Sequence, residues 1–102
     1  MRAHPVSRYK FGTEPGGYNA ILHRKEFCRT TRSKFMRLYF QELDRPHCFY
    51  LCVFYRAGYE PPNGGPDFKD EVPTGSPVWI EVGHSPTGKP ALLRAEYGWR
   101  HN

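Results

Sequence analysis

The side chains able to do chemistry are few, and their spacing suits no catalytic arrangement. Histidines stand at positions 4, 23, 47, 84 and 101, with no pair at a metal-binding spacing. Cys28, Cys48 and Cys52 contain no CxxC pair. On a strand Cys48 and Cys52 would share a face about 13 Å apart, at ~3.3 Å per residue, too far for a disulfide or a shared zinc. Asp67, Asp70 and Glu71 cluster among prolines and glycines, where solvated charge is the ordinary outcome. Gly83–Lys89 has the spacing GxxxxGK of a phosphate-binding loop. Pro90, however, stands where magnesium coordination needs Ser or Thr. The chain is also too short for the parallel sheet that such a loop serves. GxSxG and HExxH are both absent. These features argue against an enzyme and imply neither a metal nor another cofactor.

The pattern that remains is an interleaving of cations with aromatic rings. Lys25, Arg29, Arg32, Lys34 and Arg37 run through one stretch, and Phe35, Tyr39, Tyr50, Phe54 and Arg56 fall within or just after it. Such a mixture suits a single-stranded nucleic acid. Cations follow the phosphates while aromatic faces stack on bases without demanding a sequence. The same residues would equally serve as solvated charge and as rings packed beneath a loop or a second copy.

These residues need strands to position them. Tyr18–Thr30 alternates loosely, with Tyr18, Ala20 and Leu22 on one side and Asn19, Ile21, His23, Lys25 and Phe27 on the other. Thr30–Ser33 reads as a turn. In Lys34–Leu43, Met36, Leu38 and Phe40 share one face, and Phe35, Arg37, Tyr39 and Gln41 the other. Asp44–His47 turns the chain. Cys48–Ala57 is the most β-prone run, with Phe49, Leu51, Val53 and Tyr55 opposite Cys48, Tyr50, Cys52, Phe54 and Arg56. Gly58–Pro77 holds too many prolines and glycines for a sizeable helix. Val78, Ile80 and Val82 mark a fourth strand, and Ser85–Pro90 a turn. Ala91–Trp99 is a fifth strand or a short helix, with Ala91, Leu93, Ala95 and Tyr97 sharing a face if it is a strand. Residues 1–17 read as an irregular basic lead-in, and 18–99 as one domain. The expected fold is all-β: a small five-stranded barrel with a long Pro/Gly loop between its third and fourth strands. The alternative is an open antiparallel sheet with one short helix.

Composition agrees with this. The chain has 102 residues, 10 Gly and 10 Pro, and an aromatic share of 16%. That is enough for one modest core built largely from rings. No apolar run approaches the ~18 residues of a membrane span. Met1–Pro5 lacks the apolar stretch of a signal peptide. Reduced thiols and a cytoplasmic location are expected, the host cytoplasm if the protein is viral. The net charge is +5. Residues 1–45 carry 10 basic and 4 acidic side chains, whereas 46–102 carry 5 and 6. A basic half points to a polyanionic partner.

Residues 15–55 read PGGYxAxL, then TTRSK, then FMRLYFQELD and the strand to Tyr55. A later VWIEV…TGK…Y piece follows. This pattern resembles small phage-encoded single-stranded-DNA-binding proteins of the OB-fold type. The resemblance implies a five-stranded OB barrel that binds single strands on the face of its second and third strands. By position, contacts would fall on Arg32, Lys34, Phe35, Arg37, Tyr39, Tyr50, Phe54 and Arg56. Two departures stand out: Lys34 replaces the usual glycine of the turn, and the segment before the fourth strand is rich in Pro and Gly rather than helical.

The function expected is therefore non-catalytic binding of single-stranded nucleic acid, with DNA the expected form. The acidic loop 60–71 offers a contact for a protein partner, and a second copy could cover an exposed aromatic face in a homodimer. The alternative is a small virus-encoded interaction module that binds and inhibits a host protein.

Overall fold

A computed structural model describes residues 9–55 and 72–100. Six strands form one sheet in the order β1-β4-β3-β2-β5-β6. They are β1 (Lys10–Phe11), β2 (Gly16–Arg29), β3 (Lys34–Glu42), β4 (Cys48–Phe54), β5 (Pro77–His84) and β6 (Pro90–Tyr97). Among the described residues there is no helix, so Ala91–Trp99 takes the strand option. All neighbouring pairs are antiparallel except β1 with β4, which is parallel. β1 is an addition to the five strands expected, and it arises within the stretch read as irregular.

The sheet curls. β4 and β6 run in the same direction and their Cα atoms approach within 8 Å, yet no ladder joins them among the described residues. The fold is all-β, as expected, but among the described residues the sheet is not closed into a barrel. The concave side holds the core: Ala20, Leu22, Leu38, Phe40, Phe49, Leu51, Val78, Ile80 and Val82, joined by Val72 from the segment before β5. Met36 and Val53 pack against it. The period-2 alternation of β3, β4 and β5 places these side chains as expected. The prolines and glycines of 56–71 lie outside the described residues, as do Arg56 and the acidic stretch 60–71.

Two bulges overturn the simple alternation. β2 pairs with β5 along Gly16–Ile21 and with β3 along Ala20–Arg29, and its register slips between Leu22 and Arg24. The extra residue, His23, bends the strand where it leaves one neighbour for the other, which is what a bulge does. Every later side chain changes face. Lys25 and Phe27, expected opposite Leu22, instead lie opposite Leu38 and Met36 on the core side, while Arg24 and Glu26 take the outer face. In β6 a slip makes Leu92 and Ala95 the core residues and leaves Leu93 exposed. The single face expected for Ala91, Leu93, Ala95 and Tyr97 is therefore broken.

Candidate nucleic-acid interface

The convex side of β2, β3 and β4 carries three cross-strand rows: Arg24–Tyr39–Tyr50, Glu26–Arg37–Cys52 and Cys28–Phe35–Phe54. Antiparallel pairing sets each row side by side, within reach of ring and guanidinium contacts. The Tyr39 and Tyr50 ring centroids are 5.5 Å apart and those of Phe35 and Phe54 4.9 Å. The Arg37 guanidinium lies 5.2 Å from the Tyr50 centroid, and that of Arg24 5.5 Å from the Tyr39 centroid.

Glu26 ties these cations down. Its Oε1 accepts from the Tyr39 hydroxyl at 3.0 Å and from Arg37 Nη1 at 3.4 Å, and its Oε2 lies 3.5 Å from Arg24 Nη2. Arg37 Nη1 also donates to the Tyr39 oxygen at 3.3 Å. That hydrogen bond raises the Arg37 pKa further against the opposing pull of burial, so the guanidinium remains charged. Arg37 Nε is buried with no hydrogen-bond partner among the described residues. Burial pushes the Cys52 thiol up, outweighing Arg37 beside it, so Cys52 does not present a ready nucleophile.

The two aromatic pairs differ in access. Phe54 is 60% exposed and Phe35 half-buried. Tyr39 is 1% exposed, although it sits on the face turned away from the core. Tyr9 covers it. The two rings meet edge to face at 5.0 Å, and the Tyr9 hydroxyl lies 2.8 Å from His23 Nδ1 at the bulge. Phe11 packs at 5.3 Å on Tyr50. The stacking surface expected of Tyr39 is therefore closed, and its ring supports the face from beneath.

The expected site residues divide accordingly. Phe35, Arg37, Tyr39, Tyr50 and Phe54 come together on one face. Lys25, Arg29 and Lys34 have the core-side parity of the same strands; the Arg29 guanidinium sits 5.7 Å from the Phe27 centroid. Arg32 is exposed in the turn, where Thr30 Oγ1 accepts from the Arg32 and Ser33 amides at 3.2 and 2.9 Å. Arg56 lies outside the described residues. Arg24, Glu26, Tyr9 and Phe11 belong to the face and were not foreseen. The bulge hid the first two. For the others, the alternation of Tyr9-Lys10-Phe11 was the available signal.

Other candidate chemistry is absorbed by structure. Gly83–Lys89 spans the end of β5 and the β5–β6 turn, closed by Ser85 N to Lys89 O at 2.8 Å, and a strand follows it. Glu42 Oε1 accepts from Arg45 Nη2 at 2.9 Å and pairs with His47 Nδ1 at 3.0 Å. A cleft of about 330 Å³ opens beside Asn19, Glu42 and Asp44, with Arg100 stacked 3.6 Å from the Trp79 centroid. Cys28, Cys48 and Cys52 form no disulfide and are half-buried. Among the described residues no three His, Cys, Asp or Glu side chains are grouped to hold a metal ion, and no helix is long and apolar enough to cross a membrane. Compared with models of known protein families, with curated proteins and with solved structures, the chain matches none.

Proposed function

We propose that this chain is a non-catalytic binder of single-stranded nucleic acid, with DNA the preferred form, acting through the convex face of β3 and β4. The observation that carries the reading is the Phe35–Phe54 pair. A ring 60% open to solvent has another packed beside it at 4.9 Å, in the row next to Arg37. An exposed ring offers a stacking platform for a base. Arg32, exposed in the turn at the hairpin end beside it, suits a phosphate backbone, while Arg29 and Lys34 flank that turn from the other side of the sheet. The curled sheet, with β4 and β6 parallel and adjacent, supports an OB-type architecture, whose second and third strands supply the usual oligonucleotide face.

A competing reading is favoured by Phe54 itself together with the exposed Phe11: apolar rings rimmed by cations also suit an acidic protein partner. Titrating labelled oligo-dT at low and high salt separates the two. The nucleic-acid reading expects binding that weakens with salt. No measurable binding at low salt would leave the protein partner as the better account.

A further inference from the structure

We infer that β1 is a strap that closes half of this face and that a bound strand must lift it. The inference rests on the nucleic-acid reading above. The face has an open row, Cys28–Phe35–Phe54, and a partly covered row, Arg24–Tyr39–Tyr50, in which Tyr39 is sealed and Tyr50 half-buried. What covers the second row is β1 together with Tyr9, the residue before it. Tyr9 seats its ring edge on Tyr39, reaching across the face to His23, and Phe11 packs on Tyr50. Beneath the strap lies a second aromatic cross-strand pair like that of the open row, here with cations over its rings, Arg24 over Tyr39 and Arg37 over Tyr50.

The strap is built to be weak. Its ladder to β4 has two residue pairs, Lys10 with Phe49 and Phe11 with Tyr50, in the parallel arrangement that bonds less well per residue. Lys10 and Phe11 are exposed. Short edge segments of this kind open locally at far lower cost than core strands. At its far end Gly12 donates to Tyr50 O at 2.8 Å and adopts φ +78°, with Pro90 of β6 filling the space where a β-carbon would go. Gly12 holds a backbone conformation that L side chains rarely adopt, and β2 begins four residues later at Gly16, so we place the pivot at Gly12. A ligand shifts such an equilibrium only through a state it binds better. Bases stacking on Tyr39 and on the covered part of Tyr50 supply that difference, since Tyr39 is sealed and Tyr50 half-buried while Tyr9 and Phe11 are in place.

The test is a graded series on the full chain, wild type, Tyr9→Phe and Tyr9→Ala, each titrated with oligo-dT and followed by hydrogen exchange at the Gly12 amide. Tyr9→Phe keeps the ring and loses the hydrogen bond to His23. Tyr9→Ala unseats the strap. Removing a closed state that competes with the ligand raises apparent affinity by the inverse of the open fraction, so Tyr9→Ala should bind at least about fivefold tighter, with Tyr9→Phe between. Adding oligo-dT to wild type should speed exchange at Gly12 while leaving Leu22 protected. If wild type binds but Tyr9→Ala binds equally or more weakly, β1 is not a gate and the strap idea fails alone. If none of the three binds, the nucleic-acid reading fails and takes the strap with it. Should Tyr9→Ala not fold, Gly12 exchange in wild type decides: faster exchange with oligo-dT supports the strap, and unchanged or slower exchange overturns it.

Discussion

Tyr39 and Tyr50 face each other across β3 and β4 with centroids 5.5 Å apart, yet Tyr39 is sealed and Tyr50 is only half-buried. The same strand face therefore contains a ring that acts as core and rings that act as surface. Mutations on it should divide along that line.

Tyr39→Ala should behave as a core truncation, costing about 3–5 kcal/mol of stability, comparable with the ~2–5 kcal/mol of Leu38→Ala. Phe54→Ala should cost under about 1 kcal/mol in stability, since that ring is mostly in water, but about 1–3 kcal/mol in binding. Thermal melts and oligo-dT titrations on the three variants check this. Wild-type affinity in Phe54→Ala would remove the stacking platform from the proposal.

The electrostatic part is checked by salt. If about four phosphates are neutralised, log K should fall against log salt with a slope near -3, at ~0.7 per phosphate for single strands. Arg32→Ala, at an exposed turn position, should reduce the slope by roughly 0.7 without altering the melting temperature. A slope unchanged by Arg32→Ala would show that the turn does not touch the strand.

Alkali should destabilise the fold through two phenols. Burial raises the pKa of Tyr9 and that of Tyr39, the latter against the lowering effect of the hydrogen bond from Arg37. Each folded value lies above the unfolded one, so the fold retains the proton. The corresponding stability is complete below the ordinary value of ~10 and is lost as pH rises through the folded values. Tyrosinate absorbance should show at least two late-titrating phenols, Tyr9 and Tyr39, and Tyr39→Phe should remove one. Uniform titration of all tyrosines near ~10 would contradict the covered face.

Acid should act through Glu42. Burial pushes its carboxyl up, but hydrogen bonds from Arg45 and His47 outweigh this and leave the pKa lowered. Its contribution is complete above the unfolded value of ~4.3 and is lost as pH falls through the lower folded value. Wild type should therefore lose stability in that window, and Glu42→Gln should flatten the loss. Chemical denaturation across the acid range measures both.

The sequence by itself determined four of the six strands and most of their faces, left Ala91–Trp99 between strand and helix, and did not mark β1. Alternation in 34–43, 48–54 and 78–82 places Leu38, Phe40, Phe49, Leu51, Val78, Ile80 and Val82 in the core, because side chains of a pleated strand alternate strictly. It also assigned Phe35, Arg37, Tyr39, Tyr50 and Phe54 to one opposite face, since both strands of that hairpin keep their period. The tertiary structure decided what breaks the period and what covers the face. β2 must serve β5 with one half and β3 with the other, and the bend this requires is absorbed by a bulge at His23 that moves Arg24 and Glu26 outward and Lys25 inward. Nothing local in residues 23–27 records that demand, because it comes from strands distant in sequence. The burial of Tyr39 is likewise non-local: it depends on Tyr9, thirty residues earlier, crossing the sheet to meet His23.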